Sequence, residues 1–208
     1  MNKKFLGFYN YTVVLTYIGM LCGFTGIALI IVHNYFWAVN CLMFAGLCDM
    51  FDGTIASTMK RTKQEKNFGI QIDSLSDLIC FGVLPGILVL SLNDMAIASV
   101  LVAACFVLAA LIRLAYFNVD EQDRQDKTDE GRKIFYGCPV TMSALVYPLT
   151  YGVGVYFGWN VNHFMTVMQG VMAVCFLLAI PLKKPGKIGK CILLGSGLVE
   201  MILLFLIR

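Results

Sequence analysis

Four aspartates carry the chemistry that this sequence offers: Asp49 and Asp52 close one apolar stretch, and Asp73 and Asp77 open the next. Along a helix turning 100° per residue, positions i and i+3 stand about 60° apart and positions i and i+4 about 40° apart, so each pair shares a face. A short connection joins the two stretches at one interface, which lets the pairs face each other near the membrane surface. Like charges crowded in this way oppose one another's ionisation unless cations compensate them. Two divalent ions would balance the four carboxylates. Hard carboxylate oxygens suit Mg²⁺ or Mn²⁺, and two such ions about 3.5–4 Å apart stabilise the attacking and leaving oxygens of a phosphoryl transfer. Gly53 beside the first pair and Gly69 before the second allow a ligand or the partner backbone to come close. Three other readings compete. The aspartates are water-exposed helix ends, or they belong to a cation transporter, which calls for carboxylates near the bilayer midplane and broken helices, or the chain is an inactive membrane scaffold that retains the fold.

The elements that must position these residues follow from composition. Of 208 residues, 59% are hydrophobic and 14% charged, with a mean hydropathy of +0.76. Soluble domains run at roughly 45–50% apolar and 25% charged, so a soluble globular protein is excluded. The apolar residues fall into stretches of about 20, the length that crosses a hydrocarbon core of roughly 30 Å. Spans are expected at about 9–32, 35–57, 74–92, 95–117, 138–157, 163–182 and 188–207. The fold class is therefore an all-α integral membrane bundle, with six core transmembrane helices and one further C-terminal helix. Residues 1–208 are expected to form a single membrane domain, and the run after Met1-Asn2-Lys3-Lys4 is too long for a signal peptide and is read as a retained first helix.

Basic residues orient the bundle. Lys3 and Lys4, then Lys60, Arg61, Lys63 and Lys66, then Arg124, Lys127, Arg132 and Lys133, then Lys183, Lys184, Lys187 and Lys190 make 14 of the 16 basic residues fall on one side. That side is expected to be cytoplasmic, with the N-terminus and the aspartates, in a multi-pass protein of the cell membrane. The net charge of +3 describes a basic inner face suited to anionic headgroups or phosphorylated substrates, and nothing points to nucleic acid. Eight cysteines without a C-x-x-C read as apolar packing, and neither His33 nor His163 has the spacing of a metal ligand. Asn118 to Lys133 reads as a solvated loop. Gly19, Gly23 and Gly26, and Gly82 with Gly86, form small faces that allow helices to approach closely.

Taken together, Asp49-x-x-Asp52-Gly53-x-x-Ala56 and Gly69-x-x-x-Asp73-x-x-x-Asp77 resemble the signature of the CDP-alcohol phosphotransferase (phosphatidyltransferase) family. The stretch from Phe68 to Pro85, with Arg113-Leu114-Ala115-Tyr116-Phe117-Asn118-Val119 and Phe135-Tyr136-Gly137-Cys138-Pro139, is similar to the branch that uses serine. The resemblance runs over roughly residues 8 to 150. It implies a bundle of about six core spans that transfers a phosphatidyl group from CDP-diacylglycerol to an alcohol, here L-serine, releasing CMP with the help of divalent metal. Inositol phosphate or glycerol phosphate as acceptor, or an archaeal-type lipid donor, would use the same chemistry.

Carried over by position, the resemblance makes Asp49, Asp52 and Asp73 metal ligands and Asp77 the general base, also within reach of metal. Gly53, Ala56 and Gly69, with Asp52, would line the nucleotide. Ser57 stands where the family usually has arginine, and the interval from there to Gly69 is three residues longer than usual. Arg61, one turn further on, either supplies a guanidinium to the same pyrophosphate or lies in solvent. Arg113 either snorkels to water or, with Arg132 or Lys133, binds an acceptor carboxylate or the lipid phosphate. Relatives of this kind suggest a homodimer.

Overall fold

The computed structural model describes residues 6–127, 134–183 and 186–207. Among them, helix α1 (Val14–Ile31) and α2 (Tyr35–Ala56) form an antiparallel pair joined by a tight turn in which His33 adopts φ 57°. Small residues on α1 set their separation. A Cβ built on Gly19 would lie 3.2 Å from Cys48 Cβ, and one on Gly26 would lie 3.1 Å from Cys41 Cβ. The faces turned away from the bundle carry exposed Leu21, Phe24 and Ile31, an arrangement that only a lipid solvent favours.

The third rod begins in water and ends in lipid. Thr62 accepts from the Glu65 backbone N–H while the Glu65 side chain accepts from the Thr62 backbone N–H, a reciprocal cap that starts α3 (Lys63–Asp77). Helix α3 passes through a π-helical turn, Leu78–Val83, into α4 (Leu84–Leu92) without a break. The rod thus starts at Lys63 rather than near 74, because the cap stabilises a polar first turn that hydropathy alone does not register. Helix α5 (Ile97–Lys127) also outruns its expected end at 117. The stretch from Asn118 to Lys127, read from its charge as loop, continues the helix, with Arg124 and Glu121 paired at 2.6 Å one turn apart.

The remaining elements are α6 (Ser143–Tyr156), preceded by a 3₁₀ turn at Val140–Met142, then α7 (Val161–Leu177) and α8 (Lys187–Ile207). Two short strands were not anticipated. β1 (Ile134–Tyr136) and β2 (Pro181–Lys183) pair antiparallel, with Phe135 opposite Leu182, and tie the α5–α6 connection to the α7–α8 connection. Helix α7 therefore ends at Leu177 rather than near 182, since Pro181 supplies strand backbone instead.

The core lies where α2, α4, α5, α6 and α7 meet, around Leu42, Leu84, Leu88, Phe106, Tyr147 and Met165, all fully buried. Phe106 packs against both Tyr147 and Phe176, with ring centroids 5.8 and 5.3 Å away. Among the described residues, five helical rods are long and apolar enough to cross a membrane, α7 is a shorter apolar helix, and the whole is a multi-pass membrane bundle. All eight cysteines are free thiols, as their apolar settings suggest.

Candidate active site

The four aspartates project from α2 and α3 into one place. One oxygen from each of Asp49, Asp52 and Asp73 lies within 4.8 Å of the others. Asp77 sits within hydrogen-bonding reach of Asp49, and Asp73 within reach of Asp52, so the two pairs interlock across the helix interface. Asp52 and Asp77 are only 8% and 9% exposed, which removes the reading of these residues as water-exposed helix ends. The rods that carry them are continuous helix, unlike the broken helices a transporter site would use.

Three carboxylate oxygens at this spacing suit one hard divalent cation, with room for a fourth donor from Asp77. A contact from α1 orients the set. Thr16 Oγ1 donates to Asp52 Oδ2 at 3.0 Å, and Ser76 Oγ of α3 donates to the Thr16 carbonyl at 3.5 Å. Both side chains are 8% exposed. Partners of this kind fix a ligand's orientation and raise its affinity for metal. Thr16 escaped the sequence reading, although its position three residues before Gly19 on the small face of α1 marks it as turned toward the bundle.

Above the carboxylates opens a cleft of about 1150 Å³. Asp49, Asp73, Asp77, Gly53 and Ser57 line its polar end, and Phe44, Leu145, Leu194 and Met201 its apolar end. Gly53 leaves open space where a side chain would stand, since an added Cβ would meet nothing within 4 Å. Ala56 is half-buried on the same final turn, and Ser57 caps α2, its hydroxyl donating to the Thr54 carbonyl at 2.6 Å. Arg61 does not extend α2. It lies in the connection, and its Nη1 would be 3.0 Å from a Cβ on Gly69, so arginine and glycine meet at the foot of α3.

Arg113 is 9% exposed and does not snorkel to water. Its Nη1 donates to the Tyr136 carbonyl at 2.8 Å, beneath Gly137, whose φ of 76° suits glycine. Two segments that the sequence offered separately, the one around Arg113 and the one around Gly137, are thus a single structural unit at the cleft wall. Asn118 joins α5 to α3 by accepting from Ser74 Oγ at 2.6 Å. Arg132 and Lys133 lie outside the described residues. Among the described residues, the remaining cation on the cleft wall is Lys190 of α8, whose Nζ donates to the Met50 carbonyl at 3.4 Å and which acts electrostatically on Asp49 and Asp52. In the sequence it was one basic residue among a flanking group.

Comparison with known proteins agrees with this geometry. CDP-diacylglycerol–serine O-phosphatidyltransferase of Saccharomyces cerevisiae is 32% identical over 149 residues, 66% of this chain and 53% of that protein. Archaetidylserine synthase of Methanothermobacter thermautotrophicus is 32% identical over 156 residues, 74% of this chain and 63% of that one. CDP-diacylglycerol–serine O-phosphatidyltransferase of Bacillus subtilis is 30% identical over 115 residues, 54% of this chain and 63% of that protein. Each match spans between about half and two thirds of the relative's length. Residues 9–180 match the CDP-alcohol phosphatidyltransferase family, and both aspartate pairs fall inside the match; the chain belongs to that family.

Proposed function

We propose that this protein transfers the phosphatidyl group of CDP-diacylglycerol to the hydroxyl of L-serine, giving phosphatidylserine and CMP. The observation that carries the reading is the convergence of Asp49, Asp52 and Asp73, with Asp77 beside them, at the polar end of a cleft whose other end is apolar. A substrate with a charged pyrophosphate and two acyl chains matches that division. The relatives named for serine transfer support the choice of acceptor.

Asp49, Asp52 and Asp73, with Asp77 as a further donor, would hold two divalent cations, Mg²⁺ or Mn²⁺. Bound there, such ions neutralise the pyrophosphate and the charge developing on CMP. Asp77 accepts the proton of the serine hydroxyl as its oxygen attacks the phosphorus that bears diacylglycerol. The phosphorus–oxygen bond to CMP breaks, and CMP leaves with the electron pair. Gly53, Ala56 and Gly69 give the nucleotide room, with Ser57 and Arg61 nearby. Arg113, with Arg132 or Lys133, binds the serine carboxylate or the lipid phosphate as a guanidinium fork suits both. The basic face and the site lie on the cytoplasmic side of the cell membrane, and the protein works as a homodimer.

A second reading keeps the acceptor and changes the lipid: the archaetidylserine synthase match favours an archaeal-type CDP-linked donor as an alternative. One assay tests both. Purified protein with Mg²⁺ or Mn²⁺ and CDP-diacylglycerol is expected to release CMP when serine is added, and not with glycerol phosphate or inositol phosphate. Stimulation by another alcohol replaces the acceptor, turnover only with an ether-linked donor replaces the lipid, and no release with any of them overturns the reading.

A further inference from the structure

Resting on the proposed reaction, the remaining question is which side chains take the negative charge of the donor pyrophosphate that the cations leave unpaired. Two cationic side chains line the cleft among the described residues, Arg113 and Lys190. Arg113 is buried, holds the Tyr136 carbonyl with its Nη1 at 2.8 Å, and with its remaining donors is already assigned to the serine carboxylate or the lipid phosphate. Lys190 differs. It stands in the first turn of α8, is half-buried, and its ammonium makes one long hydrogen bond among the described residues, 3.4 Å to the Met50 carbonyl, in the turn of α2 that carries Asp49 and Asp52. Its charge acts on both of those aspartates from the opposite wall. An ammonium has three donors and a flexible four-carbon stem, so it can keep one donor on Met50 and turn the others toward an anion above the carboxylates.

The opposite wall offers no such group. Ser57 and Gly53 are the residues that α2 presents beside the nucleotide position, and neither carries charge. Helix α8 lies beyond residues 9–180, the part of the chain that matches the family. We propose that Lys190 binds the pyrophosphate of the CDP-linked lipid donor, making α8 a substrate-binding wall of the site rather than an added span.

The test uses the full chain with Mn²⁺, wild type against Lys190→Met, which keeps the apolar stem, and Lys190→Arg, which keeps the charge. Binding of CDP-diacylglycerol is measured by calorimetry and turnover by CMP release. Lys190→Met is expected to weaken donor binding roughly tenfold and to raise KM for the donor by a similar factor, with kcat changed less. Lys190→Arg is expected to stay within about threefold of wild type, and Ser57→Arg is expected to restore donor binding to Lys190→Met by supplying a cation from the facing wall. A purely structural lysine would lower thermal stability in Lys190→Met and leave the donor affinity unchanged, which overturns the proposal. So does loss of binding in Lys190→Arg equal to that in Lys190→Met. Wild type that binds the donor yet releases no CMP with any alcohol sinks the proposed reaction, while the effect of Lys190 on binding still stands or falls by itself. Wild type that binds no CDP-diacylglycerol overturns both.

Discussion

The two sides of the cleft are built to different standards. On the side of α1, α2 and the α3–α4 rod, helices meet at backbone distance: a Cβ on Gly23 would lie 2.5 Å from Cys80 Sγ, and one on Gly26 would lie 2.6 Å from Leu84 Cδ1. Half of the most apolar stretch of the α3–α4 rod is buried, against almost none of α8. On α8 an added Cβ at Gly195 would meet nothing, and one at Gly197 would touch only Leu145 Cδ2 at 3.5 Å. Ion ligands must stay within a few tenths of an ångström of one geometry, which requires side chains fixed by close packing. A lipid entering sideways requires the reverse, a wall with little to lose by moving. The aspartates sit on the first wall, and the apolar end of the cleft is lined from both, by Phe44 and Leu47 of α2 and by Leu194 and Met201 of the yielding α8.

Replacing Asp77 tests the tight wall most severely. In Asp77→Asn the shape is kept and the proton acceptor is lost, so CMP release is expected to fall by about 10²–10⁴, the usual contribution of a positioned base. Mn²⁺ should still raise the thermal stability of the variant, because Asp49, Asp52 and Asp73 remain. Loss of that stabilisation together with activity would instead make Asp77 mainly a metal ligand. Next in size is Thr16→Val, which removes the hydroxyl at 3.0 Å from Asp52 with little change of volume. Metal affinity read from the Mn²⁺ dependence of turnover is expected to weaken roughly tenfold to a hundredfold, as for other residues that orient a ligand. An unchanged dependence would show that Asp52 is held by α2 and α3 alone.

The same contrast explains what could be read from the sequence. Asp49, Asp52, Asp73 and Asp77 announce themselves because charge is costly in an apolar stretch and because i,i+3 and i,i+4 spacings fix a face before any packing is known. The spans follow from hydropathy for the same reason. Thr16 and Lys190 did not, since each becomes part of the site only through contacts between residues 36 and 140 positions apart. The π-helical turn at Leu78–Val83, directly after Asp77, was equally hidden. It widens the helix by one residue where the polar face of α3 gives way to the buried face of α4, and no local residue type demands it. The strands β1 and β2 pair residues nearly 50 positions apart through backbone groups, and three-residue runs carry too little alternation to be recognised.

The smallest expected effects set the two walls against each other directly. Gly23→Ala adds one methyl group where Cys80 offers its Sγ at 2.5 Å, its Cβ at 3.3 Å and its Cα at 3.4 Å. Cys80 is 1% exposed and its thiol already donates to the Gly19 carbonyl at 3.5 Å, so the sulfur has no free direction in which to turn. The rods must separate, and the cost is expected at about 1–3 kcal/mol of stability, read as a lower melting temperature in micelles. Separation also moves Ser76, one turn before Cys80, and with it the contact to Thr16. Metal dependence should therefore shift in the same variant. Cys80→Ala combined with Gly23→Ala removes the clashing sulfur and is expected to recover most of the loss, which a general intolerance of α1 to alanine would not allow. Gly195→Ala adds the same methyl group to α8, where it meets nothing. There the change is expected to be neutral or to stabilise by less than about 1 kcal/mol, the difference in helix propensity between the two residues. Equal losses at both positions would mean that α8 is packed as firmly as α1, and the division of the cleft into a fixed wall and a yielding one would fail.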